Sequence, residues 1–123
     1  MRTTARRLSL LSALFFFLAF SPAWAADGNH LLQKCKATEL KHTTPSEDID
    51  WGYCMGTVHG VGSTIRDLGS FLPPNLRICI PDGVTTGQNV KVVLKYLKDN
   101  PEQLHRDDTV LIHFALRKAF PCK

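Results

Sequence analysis

Cys35, Cys54, Cys79 and Cys122 have the most readily assigned chemistry in this chain, because four thiols in a 123-residue sequence make either two cross-links or a metal site. A structural zinc site wants closely spaced ligand pairs. The chain has no Cys-x-x-Cys and no histidine at ligand spacing from a cysteine pair. Disulfides are therefore expected, with no metal and no cofactor. The five histidines, His30, His42, His59, His105 and His113, are scattered, and none falls in a nucleophile or metal motif. If His105 and His113 shared one helix they would stand about 80° out of alignment, which is poor ligand geometry. Asp107-Asp108 looks like a paired-acid site, but adjacent helical residues face different directions, and acids early in a helix are explained by its dipole. The same reasoning covers Asp48 and Asp50. The acid pair is expected to be solvated, no catalytic residue is expected, and the chain reads as a binding module rather than an enzyme.

The compartment follows from the first 25 residues. Arg2, Arg6 and Arg7 open a basic start, Leu8 to Phe20 is apolar apart from two serines, and Ala23-Trp24-Ala25 is a small-x-small cleavage pattern. Residues 1–25 are thus expected to be an export signal cut after Ala25, leaving 26–123 as one domain in the periplasm. The apolar run falls short of the roughly 20 residues that span a bilayer, so no stable membrane association is expected after cleavage. The arginine pair alone makes a poor twin-arginine signal, and no cysteine near the cut invites a lipid anchor. An oxidising compartment lets disulfides persist, and a domain this short benefits from them.

Charge narrows the partners. The whole chain has 15 Lys and Arg against 11 Asp and Glu, a formal +4. The leader removes three arginines and no acid, so the mature domain is close to neutral. Nucleic acid is not expected as a partner, since phosphate recognition needs clustered surplus cations. Lys34, Lys36 and Lys41 read as a solvated helix face.

Four helices are expected. Leu31, Leu32, Cys35 and Leu40 make an apolar stripe behind Asn29 as cap, predicting a helix over 30–41. Thr44-Pro45-Ser46-Glu47 reads as a capping box with proline at the first helical position. Behind it Cys54, Val58, Val61, Ile65 and Leu68 share one face of a long core helix. Gly52, Gly56 and Gly60 recur in that helix with Gly62 nearby, each costing roughly 1 kcal/mol against alanine. Close packing against the first helix is the expected reason, with a dimer seam as the alternative. Pro73-Pro74 stops the helix, and Phe71 and Leu72 in the loop are expected to tuck onto the core; standing exposed, they would be natural binding residues. Thr85-Thr86-Gly87-Gln88 is a second capping box, followed by Val90, Val93, Leu94 and Leu97. Asn100-Pro101-Glu102-Gln103 is expected to start the last helix in the same manner, with Leu104, Leu111, Ile112, Ala115, Leu116 and Ala119 inward. No segment alternates as a strand. The fold is expected to be all-α, a small disulfide-stapled four-helix domain of two helical hairpins.

Four cysteines allow three pairings, and sequence does not select among them. If the helices pack as antiparallel hairpins, topology suggests Cys35–Cys54 and Cys79–Cys122. Each loop is long enough for closure to contribute about 3 to 4 kcal/mol in the unfolded-state entropy account.

Cys79-Ile80-Pro81, Gly83-Val84-Thr85-Thr86-Gly87-Gln88, Tyr96-Leu97, Asn100-Pro101-Glu102-Gln103-Leu104-His105, Ala115-Leu116 and Ala119-Phe120-Pro121-Cys122 together resemble the Rap/Tai family of secreted immunity proteins. Leu31-Leu32-Gln33-Lys34-Cys35 and Gly52-Tyr53-Cys54-Met55-Gly56 extend the resemblance over nearly the whole mature chain. His59 stands where the family usually has an acidic or amide residue. The resemblance implies a small helical periplasmic protein of Gram-negative bacteria, often a homodimer, that protects a cell by occluding a peptidoglycan amidase delivered by type VI secretion. Candidate contacts come from exposure and composition of two loops, Phe71 to Arg77 and Lys98 to Arg106: Phe71, Leu72, Asn75 and Arg77 in the first, Asn100 and His105 in the second. The rival reading is a periplasmic stress or acid chaperone, whose histidines would charge on mild acidification.

Overall fold

A computed structural model of the chain describes residues 26–41 and 44–123. The expected export signal, residues 1–25, and His42 lie outside the described residues. Four α-helices follow one another: α1 (Gly28–Lys36), α2 (Pro45–Asp67), α3 (Thr86–Asp99) and α4 (Asp108–Ala119), with short 3₁₀ turns between them. The described residues contain no strand, only an isolated bridge between Asp27 and Asp107. The all-α expectation holds.

Both capping boxes form. Thr44 Oγ1 accepts from the Glu47 amide while the Glu47 carboxylate accepts from the Thr44 amide, and Thr85 and Gln88 repeat the exchange at α3. Each box satisfies two backbone donors that a bare helix end leaves open.

Two helix starts differ from expectation, each for a visible reason. At α1 the cap is Asp27 rather than Asn29, because the Asp27 carboxylate accepts from the His30 amide. Asn29 instead donates from its side chain to Asp27 and to the Leu104 carbonyl. The helix also ends early, tightening into a 3₁₀ turn over Ala37–Glu39 and leaving Leu40 exposed. The last helix does not begin at Asn100-Pro101. The Asn100 side chain donates back to the Tyr96 carbonyl at 2.7 Å and closes α3, while Gln103 spends its side chain on Arg106, so no capping box assembles. Pro101–Gln103 forms a 3₁₀ turn, and Asp107 caps α4 by accepting from Thr109.

Leu31, Cys35, Cys54, Val58, Val90, Val93, Leu97, Leu111, Ile112 and Leu116 are essentially sealed from solvent, so all four helices feed one core. Leu68, just past the end of α2, is about half exposed, and Ala119 in the last turn of α4 is exposed too; neither packs inward as expected. Cys35–Cys54 fastens the α1/α2 hairpin and Cys79–Cys122 fastens the α3/α4 hairpin, the pairing that topology suggested. Lys34 and Asp50 add a half-buried ion pair at 2.6 Å across the first hairpin.

The two hairpins are keyed together where the chain enters α1 and α4. The Gly28 amide donates to the Arg106 carbonyl at 2.9 Å and the Asp108 amide to the Ala26 carbonyl at 3.1 Å. Gly28 is needed for that approach, since a β-carbon there would lie 2.3 Å from Leu111 Cδ1 and 3.0 Å from the Leu104 backbone.

Gly52, Gly56 and Gly60 do something else. A β-carbon at any of the three would meet nothing within 4 Å, so the expected packing against α1 is absent. They lie on the outward side of α2, near exposed Ile49. Gly62 is the glycine that packs, with Leu116 Cδ1 3.3 Å from its virtual β-carbon.

Candidate functional site

The core stripe of α4 uses Leu111, Ile112, Ala115 and Leu116, which leaves His113, Phe114 and Arg117 on its flank. That flank is where the two candidate loops come together. The first loop runs from the end of α2 through Pro73-Pro74 and is tied to α4 at two carbonyls: His113 Nε2 lies 2.8 Å from the Leu76 carbonyl, and Arg117 donates to the Asn75 carbonyl. Arg77 braces the loop from inside by donating to the Leu72 carbonyl at 2.8 Å. The second loop, between α3 and α4, places the Arg106 guanidinium 4.8 Å from the Phe114 ring centre. Arg117 lies 5.9 Å from the same ring. Arg117 and Phe114 therefore link one loop to the other.

The predicted contact residues separate on this frame. Phe71 is 84% exposed, the most exposed large apolar side chain among the described residues, contrary to the expectation that it tucks onto the core. The 3₁₀ turn Gly69–Phe71 carries it past the end of α2, where no core surface remains to receive it. Leu72 does fold back, into a shallow depression with Val61, Ile65 and Leu76. Asn75 presents its carbonyl to Arg117, and Arg77 turns inward to the loop backbone. Asn100 is a partly buried helix closure, whereas His105 is exposed in the turn before α4. His105 and His113 do not share a helix.

Arg106 bounds the candidate connection between α3 and α4, whereas His113, Phe114 and Arg117 were missed as site residues. The signal was present for one of them: Phe114 interrupts the apolar stripe of the last helix at a position that cannot face the core.

The acid pair separates by function. Asp107 is the exposed cap, its carboxyl held below the ordinary carboxylate value by bonds from the Thr109 hydroxyl and nearby amides. Asp108 is only 6% exposed and accepts from the Tyr53 hydroxyl at 2.9 Å, so the expectation of a solvated pair fails for this residue. Tyr53 is in turn pushed above the ordinary tyrosine value by burial and by that carboxylate. The His30 and Tyr53 rings meet nearly perpendicular, their centres 4.9 Å apart. This cluster joins α1, α2 and α4. Asp27 is lowered as Asp107 is, chiefly by the His30 amide.

Elsewhere, a groove of about 550 Å³ runs between α2 and α3, walled by Met55, Val90 and Leu94 and rimmed by Lys91, Lys95 and Lys98. Two of these lysines are paired, Lys95 with Asp99 and Lys98 with Glu39. His59 is exposed, 3.2 Å from Thr86. Among the described residues no cluster of His, Cys, Asp and Glu is arranged to hold a metal, and no helix is long and apolar enough to cross a membrane.

The described residues thus form an α-helical domain of two disulfide-stapled hairpins with an outward phenylalanine in the loop after α2. Residues 27–122 match the family model described as Rap1a immunity proteins, and the chain belongs to that family. Searches of curated proteins and of solved structures return no match.

Proposed function

We propose that this protein is a periplasmic immunity protein that binds a peptidoglycan amidase delivered by type VI secretion and inhibits it by occlusion. Membership of the Rap1a immunity family over 27–122 carries the reading. The geometry supplies a means: Phe71 projects from a loop held at both Leu76 and Asn75 by α4, so an apolar side chain is offered to a cleft with little conformational entropy left to lose. Inhibition then needs no chemistry of its own. The bare outward face of α2 at Gly52, Gly56 and Gly60 supports a homodimer seam, because backbones approach closely where side chains are lacking.

The test is capture. The mature, oxidised protein is presented to periplasmic extract and to candidate amidases, retained proteins are identified by mass spectrometry, and the hydrolytic activity of each is assayed. One hydrolase bound stoichiometrically and inhibited is the expected result. A broad set of clients growing as pH falls would replace this reading with that of a chaperone.

A further inference from the structure

A cleft of about 420 Å³ opens beside α4, lined by Tyr96, Gln103, Arg106, Phe114, Arg117 and Lys118. Three of these six side chains are cations, two are aromatic rings and none is a carboxylate. Each cation lies over a ring: Arg106 and Arg117 over Phe114, and Lys118 over Tyr96 at 5.8 Å. Stacking orients a guanidinium and leaves its in-plane donors able to grip a carboxylate in a forked pair. The arginines are further fixed by neutral acceptors, Arg106 on the Gln103 amide oxygen and Arg117 on the Asn75 carbonyl, which orient the charge without cancelling it. Three lysines elsewhere are treated differently: Lys34, Lys95 and Lys98 each sit against an acid. Unlike the groove between α2 and α3, where Lys95 and Lys98 are paired with Asp99 and Glu39, this cleft has no carboxylate in its lining.

We propose that this cleft seats an acidic segment of the partner protein, a loop that sets an Asp or Glu side chain against Arg106 and Arg117 and packs an apolar neighbour on Phe114 and Tyr96. That the partner is an effector rests on the immunity reading above; the chemistry of the cleft does not. A concave site of this size admits one or two side chains rather than a flat bilayer, and three cations on a nearly neutral domain are too few to hold a nucleic acid.

The probe is a capped hexapeptide with a central Asp-Glu pair flanked by Phe, titrated into the oxidised mature protein and followed by NMR at the arginine Nε–H and Phe114 ring signals. Saturable shifts of Arg106, Arg117 and Phe114 are expected, with at least tenfold weaker response to the Asn-Gln counterpart and to R106E or K118E protein. Both variants change exposed side chains, and R106K, which keeps the charge but loses the planar fork, should respond more weakly than the native protein and more strongly than R106E. Equal response to both peptides, or none, overturns the proposal. So does a stronger response to inorganic phosphate or to phosphatidylglycerol vesicles, which would make the cleft a general anion or membrane site. Because the titration uses no effector, its failure leaves the immunity reading intact. Failure to capture any hydrolase would sink that reading without altering the peptide result.

Discussion

At the residue scale, single side chains do different work on the two sides of α4. Tyr53 and Asp108 lie beneath it, where a carboxylate that is 6% exposed relies on one hydroxyl. Removing that donor leaves a buried acceptor unsatisfied, so Tyr53→Phe should lower unfolding free energy by about 1–3 kcal/mol, read by denaturant titration. Phe71 on the outside supports nothing in the fold. Phe71→Ala should leave the melting temperature unchanged and weaken partner binding by tenfold or more, as truncation of an aromatic anchor does. Acid sensitivity also begins with single residues. Asp27 and Asp107 both have folded-state values below their usual 3.8, so each contributes stability that is present above that pH and is lost as pH falls through the lower folded value. Stability should therefore fall below about pH 4, and Asp27→Asn should flatten that part of the profile in a pH series of thermal melts. These roles were only partly legible beforehand. The acids were recognised as helix-start residues, but nothing local in Asp107-Asp108 says that one caps and the other is buried, because Tyr53 arrives from 55 positions away.

At the element scale, helix existence was readable wherever the local chemistry was self-contained. Thr44 to Glu47 and Thr85 to Gln88 carry both halves of a capping box within four residues, and both formed. Asn100 to Gln103 has similar residue types, yet its asparagine serves the preceding helix and its glutamine serves Arg106. The choice is made by neighbours beyond the tetrapeptide. The α2 glycines give a related lesson, since spacing alone does not separate a glycine that packs from one that lies bare. With open space at Gly56, Gly56→Ala should stabilise the isolated fold by up to about 1 kcal/mol through helix propensity. If α2 is a dimer seam, the same change should weaken self-association in sedimentation equilibrium. At Gly28 the opposite sign is expected: alanine meets Leu111 at 2.3 Å and should destabilise by about 1–3 kcal/mol.

At the scale of the whole molecule, the disulfides determine what kind of surface the protein can offer. Cys79–Cys122 closes a separation of 43 residues around the α3/α4 hairpin, and the Cys79 amide donates to the Phe120 carbonyl beside it. This anchors the far end of the helix on which both candidate loops rest. Hairpin topology made the pairing legible once four helices were assumed. The meeting of the two loops through Arg117, Phe114 and Arg106 was not legible, because it depends on where α4 starts and on which of its sides remains outside the core. Occlusion by a rigid surface is the central claim. Its most direct test is to titrate the captured amidase with the oxidised mature protein while following peptidoglycan hydrolysis, with Phe71→Ala protein in parallel. The account predicts loss of activity at one equivalent for the native chain and a shift of at least tenfold to higher concentration for the variant. Full activity at saturating protein, or inhibition indifferent to Phe71, would contradict it.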